Sequence, residues 1–139
     1  MGNTLSLRGD DYAAAGYYEA LVSLLDGAVA ERGILFPQKN ASEYDIVNTY
    51  LAAANNYGVT LHRLAARTGS SSLNAQAIVQ LQQSVRAWDS LTRNQDTLVR
   101  LEGSNLAEEN IKYLTHPVPE FEPAIYVDIP KTLTDAEGI

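Results

Sequence analysis

Residues 42–72 read SEYDIVNTYLAAANNYGVTLHRLAARTGSSS, and this stretch decides the fold. It opens on Ser42, a helix-capping residue followed within one turn by acids that can satisfy free backbone donors. Gly69 and the serines after it end the helix near Thr68 and let the chain reverse within about four residues. Between these signals, apolar residues recur in the steps of three and four that mark one helix face: Tyr44, Val47, Leu51, Ala54, Gly58, Leu61 and Ala65.

A second apolar stripe follows the reversal. It predicts a third helix of about 30 residues that Gly103 ends. Residues 42–102 therefore predict a long antiparallel helical hairpin, with arms roughly 40 Å long at about 1.5 Å per residue. The stripe contains Ile78, Leu81, Val85, Trp88, Leu91, Leu98 and Leu101.

Shorter elements flank the hairpin. Asp10 or Asp11 can cap a first helix that ends near Gly33. Asn105 can cap a short fourth helix. Four prolines then punctuate the tail, and the residues between the last two, 124–129, have strand character. The first helix is expected to face the core with Ala14, Tyr17, Tyr18, Leu21, Leu24, Leu25 and Ala28.

These elements predict an all-α fold, an antiparallel helical hairpin or bundle with an extended C-terminal arm that contains a short strand. We expect residues 1–103 to form a helical domain and residues 104–139 to form a short helix and a proline-rich arm. A lone strand is not stable by itself, so the arm should contact its own domain or a neighbouring chain. The residues expected to make that contact are Ile125, Tyr126, Val127 and Ile129.

Composition favours a globular protein and argues against an enzyme. The chain has 139 residues, 45% hydrophobic and 19% charged, and it has no cysteine, so thiolate and disulfide chemistry are excluded. No apolar run approaches the ~18 residues of a membrane span, and no secretory leader is expected. His62 and His116 lie far apart, and no catalytic or metal-binding spacing is present. We therefore expect no catalysis, no cofactor, no metal and no membrane.

Charge is unevenly distributed along the chain, whose net charge is −7. Residues 59–101 are basic, and acidic segments flank them. Arg86, Arg93 and Arg100 repeat every seven residues on the predicted third helix, where they could contact phosphates. Asp89 and Asp96 lie between them at the spacing of a salt-bridge ladder, which is the alternative. Arg63 and Arg67 have no acidic neighbour within a turn and are better candidates for an external anion.

The apolar stripes of the hairpin are long for a core of this size, so part of them is expected to lie between subunits. The predicted oligomer or core interface comprises Val47, Leu51, Leu61, Leu64, Ile78, Leu81, Val85, Trp88 and Leu91.

The stretch from Asp45 to Tyr57, the turn at Gly69 and the stretch from Asn74 to Leu91 resemble the core of phage small terminase subunits. The order of elements is also similar to that family: a short helical start, a long oligomerising hairpin and a C-terminal segment with strand character. Residues 1–41 depart from the family, because they are acidic and contain no helix-turn-helix.

Members of that family form rings, recognise viral DNA and regulate the large terminase motor without being enzymes. The resemblance implies a homo-oligomer, expected as a ring, that works with a large terminase subunit and with duplex DNA in the host cytoplasm or the virion. The residues expected to contact DNA are Arg63, Arg67, Arg86, Arg93 and Arg100.

Two alternatives belong to other classes. A structural virion protein such as a head-tail adaptor or connector would join portal or tail proteins, with its C-terminal arm bound to a neighbouring subunit. A membrane-associated protein acylated at Gly2 would use the myristoylation pattern of residues 1–6.

Overall fold

The described part of the chain contains four helices and two short strands. In the computed structural model, the described residues are 11–32, 41–92, 99–101, 105–115, 123–126 and 132–134. The elements are α1 (Asp11–Arg32), α2 (Ala41–Thr68), α3 (Ser71–Thr92), β1 (Val99–Leu101), α4 (Leu106–Thr115) and β2 (Thr132–Thr134). The all-helical class predicted from the sequence is confirmed.

The turn between α2 and α3 is built from two residues. Gly69 adopts φ +70°, a conformation that glycine reaches without a steric cost, and its N–H donates to the Ala65 carbonyl at 2.8 Å. The Ser70 hydroxyl oxygen then accepts from the Leu73 N–H at 3.2 Å, which caps α3. The reversal brings α3 back along α2.

Helix α2 lies at the centre of the structure, because α1 and α3 both pack against it. At Gly58, α2 and α3 approach closely: a Cβ built there would lie 2.8 Å from the Leu81 Cγ and 3.0 Å from the Ala77 carbonyl oxygen. The buried Ser84 hydroxyl adds a polar tie, donating to the Leu51 carbonyl at 2.7 Å. Glycine in mid-helix is therefore a packing requirement here.

The core has two parts. One joins α1, α2, α3 and Tyr126, and includes Val22, Val47, Leu51 and Ala87. The other lies nearer the turn, where Val59, Leu81 and Ala107 bring together α2, α3 and α4. Helix α4 and residues 123–126 thus share the core of the longer helices. A domain division after residue 103 stays a prediction.

The third helix is shorter than predicted. It ends at Thr92, and residues 99–101 form strand β1 instead. Strand β1 pairs antiparallel with β2, with Arg100 opposite Leu133. The sequence between Thr92 and Val99 offers a reason for the early end of the helix. It contains Asn94, Asp96 and Thr97, residue types of low helix propensity because their short polar side chains can compete with helical hydrogen bonds.

The predicted strand at 124–129 does not form over Ala124 to Tyr126, which belong to no regular element. Their backbone groups bind side-chain amides instead of a neighbouring strand. Residues 127–129 lie outside the described residues.

Helix α1 faces the core with a different set of residues than predicted. Ala14 and Tyr18 are buried, as expected, but Val22 joins them, whereas Tyr17 is 41% exposed and Leu24 72% exposed. Because α1 is apolar on more than one side, its spacing does not by itself determine which side is buried.

We predict that Gly58→Ala lowers the free energy of unfolding by about 1–3 kcal/mol, since the added methyl group has no room beside the fully buried Leu81 and the Ala77 backbone. The matched control is Gly16→Ala in α1, where a Cβ meets nothing within 4 Å. That change should stabilise by roughly 0.5–1 kcal/mol. Urea unfolding of both variants measures the difference, and equal effects would contradict the close approach.

Candidate functional site

Three buried asparagines hold the C-terminal segment against the helices. Asn56 of α2 binds both main-chain groups of one residue: its Nδ2 donates to the Tyr126 carbonyl at 2.9 Å, and its Oδ1 accepts from the Tyr126 N–H at 2.7 Å. This is the pair of bonds that a neighbouring β-strand would make. The side chain therefore replaces a strand partner.

Asn110 of α4 does the same for Ala124, accepting from its N–H at 3.0 Å and donating to its carbonyl at 2.9 Å. Asn55 links the two amides, since it donates to the Asn56 Oδ1 and to the Ala124 carbonyl and accepts from the Asn110 Nδ2 at 2.9 Å. We call Asn55, Asn56 and Asn110 the asparagine clamp.

Tyr126 completes the connection between the clamp and α4. Its hydroxyl oxygen accepts from the Leu106 N–H at 3.1 Å, which satisfies a free donor at the start of the helix. Burial raises the pKa of this hydroxyl to about 12, against the opposing effect of the Leu106 N–H. Burial also raises the pKa of Tyr18 to about 12, with the Asn56 amide opposing it.

The asparagine clamp was not predicted from the sequence. Its signal is the pair Asn55-Asn56 directly after three alanines, where α2 presents amides among residues small enough to be buried. Buried amides need partners, so such a pair indicates a polar contact inside the fold. The partner was not predictable, because it lies 69 residues further along the chain.

Arg63 and Arg67 have an acidic partner, contrary to expectation. Asp11, at the start of α1, is only 2% exposed, and its carboxylate oxygens lie 3.0 Å from the Arg67 Nη2 and 3.9 Å from the Arg63 Nη1. The acid comes from a distant part of the sequence, so a search within one helical turn could not find it. Both guanidinium side chains remain partly exposed.

The predicted row of three arginines is not continuous. Arg86 is exposed on α3, where it donates to the Gln83 side chain at 3.2 Å. Arg100 belongs to strand β1 because α3 ends at Thr92, and Arg93 lies outside the described residues. A spacing of seven residues places side chains in one row only where all of them belong to the same helix.

The predicted interface residues of the hairpin lie within its own packing. The fully or nearly fully buried ones are Val47, Leu51, Leu61, Leu64 and Leu81. The partly buried ones are Ile78, Val85 and Trp88, while the side chain of Leu91 lies outside the described part. The buried residues therefore lie in the core of the subunit, which was one of the two roles predicted for them, and an interface between subunits stays a prediction.

Two of the predicted arm contacts pack within the same chain. Ile125 packs with Val59 and Leu81, and Tyr126 belongs to the core with Leu51. Val127 and Ile129 lie outside the described residues.

Exposed apolar surface lies on α1 instead. Ala13, Tyr17, Ala20 and Leu24 follow one line along the helix at spacings of four, three and four, and all four are exposed. We call these four residues the outer seam of α1. Tyr12, 67% exposed, and Val79 of α3, 50% exposed, lie outside it.

A cavity of about 340 Å³ lies at the turn end of the hairpin, between α2, α3 and α4. Inside it, the His62 Nδ1 and the Asn74 Oδ1 are 3.1 Å apart, and the rings of His62 and Tyr113 meet edge to face. His62 and Asn74 thus bond to each other, while the Ser70 hydroxyl caps α3. Its lining comprises His62, Ala65, Ala66, Gly69, Ser70, Ser71, Asn74, Tyr113 and Leu114.

We predict that Asn56→Ala destabilises the fold by about 2–4 kcal/mol, because it leaves the buried N–H and carbonyl of Tyr126 without their partners. Hydrogen exchange should show the Tyr126 amide losing its protection. Asn74→Ala is the control, since it removes an asparagine that bonds to His62 away from the clamp. Native protection of Tyr126 in Asn56→Ala would contradict the clamp.

Stability should fall as the pH rises above 10. Tyr18 and Tyr126 are held neutral in the fold up to about pH 12, whereas in the unfolded chain a tyrosine ionises near its ordinary value of 10. Each tyrosine therefore adds on the order of 2 kcal/mol to the free energy of unfolding below pH 10. This contribution is lost as the pH rises from 10 to 12.

Urea unfolding at several pH values between 8 and 12 measures this loss. Tyr126→Phe should lose stability at neutral pH, where the Leu106 N–H lacks its acceptor, and should then show a shallower fall above pH 10. Tyr12→Phe controls for loss of an exposed hydroxyl. An unchanged slope in Tyr126→Phe would count against this account.

None of the described helices is both long and apolar enough to cross a membrane, and the described residues contain no group of three metal-binding side chains. Comparison of the chain with protein families, with curated proteins and with solved structures finds no match.

Proposed function

We propose that the chain is a non-enzymatic, oligomeric phage assembly protein, of the small terminase kind, that acts in viral DNA packaging. The observation that carries the proposal is the outer seam of α1. The stripes of the hairpin are used inside the subunit, while Tyr17 and Leu24 are exposed on a helix whose other side is buried. Contiguous exposed apolar surface is a feature of many sites that bind another protein.

The resemblance of the sequence to small terminase subunits supplies the rest of the proposal: a ring of copies, a large terminase subunit as partner and duplex DNA as ligand. Arg63 and Arg67 are the best candidates for the DNA contact, since both are partly exposed and stand one turn apart on α2. Asp11 holds them in place and neutralises part of their charge.

The alternative, a head-tail adaptor whose arm binds a neighbour, has less support. It needs the C-terminal arm to be available to another subunit, and Ile125 and Tyr126 pack in the core of their own chain. An adaptor that uses a later part of the tail stays compatible with these contacts.

The test combines native mass spectrometry with DNA binding. We expect the native chain to form an assembly of several copies and to bind duplex DNA with an affinity that falls as salt rises. DNA binding by the assembly favours a terminase-type protein over an adaptor, and assembly without DNA binding at low salt favours the adaptor. A monomer at every concentration would contradict both.

The arginine contact needs a variant that leaves no buried acid without a partner. We therefore compare Asp11→Asn with the triple change Asp11→Asn, Arg63→Ala and Arg67→Ala. The triple variant should lose about two units from the logarithmic salt slope, one for each phosphate contact. Lys112→Ala, which removes an exposed cation of α4 that is not among the expected DNA contacts, is the control and should change the slope less.

A further inference from the structure

The outer seam of α1 alternates small and large residues. Along the helix its members are Ala13, Tyr17, Ala20 and Leu24. Spacings of four and three repeat the pattern by which two helices pack side chains between one another. A surface with regular projections and gaps fits another helix better than it fits a flat partner.

Charge indicates what kind of helix fits. Between Asp11 and Leu25 the charged residues are Asp11, which is buried, and Glu19, which lies on another side of α1 than the seam. Gly16 and Leu21, next to the seam, carry no charge. Two copies of this acidic chain, each with a net charge of −7, can therefore meet along residues 13–24 with no acid among the seam residues.

We propose that the outer seam binds the same seam of a second copy, with the two α1 helices antiparallel. A two-fold axis between residues 18 and 19 places Ala13 opposite Leu24 of the second copy. The same axis places Tyr17 opposite Ala20 of the second copy. One rotation thus sets a small residue against a large one at all four positions, as a self-complementary interface requires.

A parallel pair fits the seam less well. It would place Tyr17 against the same tyrosine of the second copy and Ala13 against the same alanine, so that crowded and empty layers alternate. Other antiparallel registers leave part of the seam without a seam residue opposite. The antiparallel pair centred between residues 18 and 19 is the arrangement that fills every layer.

Tyr17 is already held in place for this contact. Its ring meets the buried ring of Tyr18 edge to face, with centroids 6.0 Å apart. A side chain that is ordered before binding loses less conformational entropy when the partner arrives.

The contact is small. If a large aromatic side chain presents about 150–250 Å², the exposed parts of Tyr17 and Leu24 contribute roughly 200–300 Å² per subunit. A stable pair usually buries about 800 Å² per partner. The inference therefore rests on the proposed function: a two-fold contact joins copies only in pairs, so other contacts close the ring and reinforce this weak one.

Disulfide trapping tests the orientation, because the chain has no cysteine of its own. We expect a mixture of Ala13→Cys and Leu24→Cys chains to cross-link to each other under mild oxidation. Ala13→Cys alone should not cross-link, since the two copies of position 13 would lie about 16 Å apart along the axis, and a disulfide needs Cα atoms within about 7 Å. Cross-linking of Ala13→Cys alone, without the mixed product, would overturn the antiparallel pair.

Leu24→Lys tests the seam without cross-linking. It should raise the concentration needed for assembly about tenfold or more, because a charge enters an apolar layer. Tyr12→Lys is the matched control: Tyr12 is a similarly exposed residue of α1 outside the seam, and the change should leave assembly unaltered. Circular dichroism checks that both variants stay helical.

Two failures can be told apart. If the native chain assembles and Leu24→Lys assembles equally well, the seam is not an interface and the two-fold pair is overturned, while the assembly and DNA binding of the native chain still test the proposed function. If the native chain is a monomer at every concentration, the oligomeric function fails and the seam with it.

Discussion

A buried side-chain amide must find hydrogen-bond partners, and three such amides organise the described structure. The asparagine clamp finds its partners in the main chain of residues 124 and 126, far along the sequence. Satisfying it ties α2, α4 and the C-terminal segment into one unit. Because each bond in the network depends on the others for its geometry, the arrangement forms as a whole or leaves costly unsatisfied groups.

Small residues flank the clamp asparagines along α2. Ala52, Ala53 and Ala54 precede the two asparagines of α2, and Gly58 follows them. Small side chains let α3 come close to α2, as the lack of room for a Cβ at Gly58 shows. Close helices leave little room for water, so the amides depend on protein partners. Close packing in this part of the fold therefore requires the hydrogen bonds of the clamp.

Local signals predicted much of the helical structure. Gly69 and Ser70 predicted where α2 ends and α3 begins, and Asn105 predicted the start of α4, because a cap acts within one turn of its own residue. The early end of α3 and the pairing of β1 with β2 depend on contacts across the sequence. Spacing on one helix cannot encode them.

The candidate site also combines features that local sequence predicts with features that depend on distant contacts. The ion pairs of Asp11 with Arg63 and Arg67 join α1 to α2, and the sequence gives no sign of which acid meets which base. The apolar residues of α1 were recognised, but the side that faces α2 was not, because Tyr17 and Leu24 fit the helical spacing as well as Val22 does. A helix that is apolar all round needs its neighbours before its exposed side is known.

The clamp also bears on which sequences this fold can accept. The bonds of Asn110 to residue 124 go to its main-chain N–H and carbonyl, so they place no demand on the side chain of that residue and require only that it has an N–H group. Proline is the one residue without it. Pro123 stands immediately outside the pair of bonded residues, where a missing N–H costs the clamp nothing. The C-terminal segment can therefore change its side chain at position 124 through substitution while its attachment to the helices stays the same.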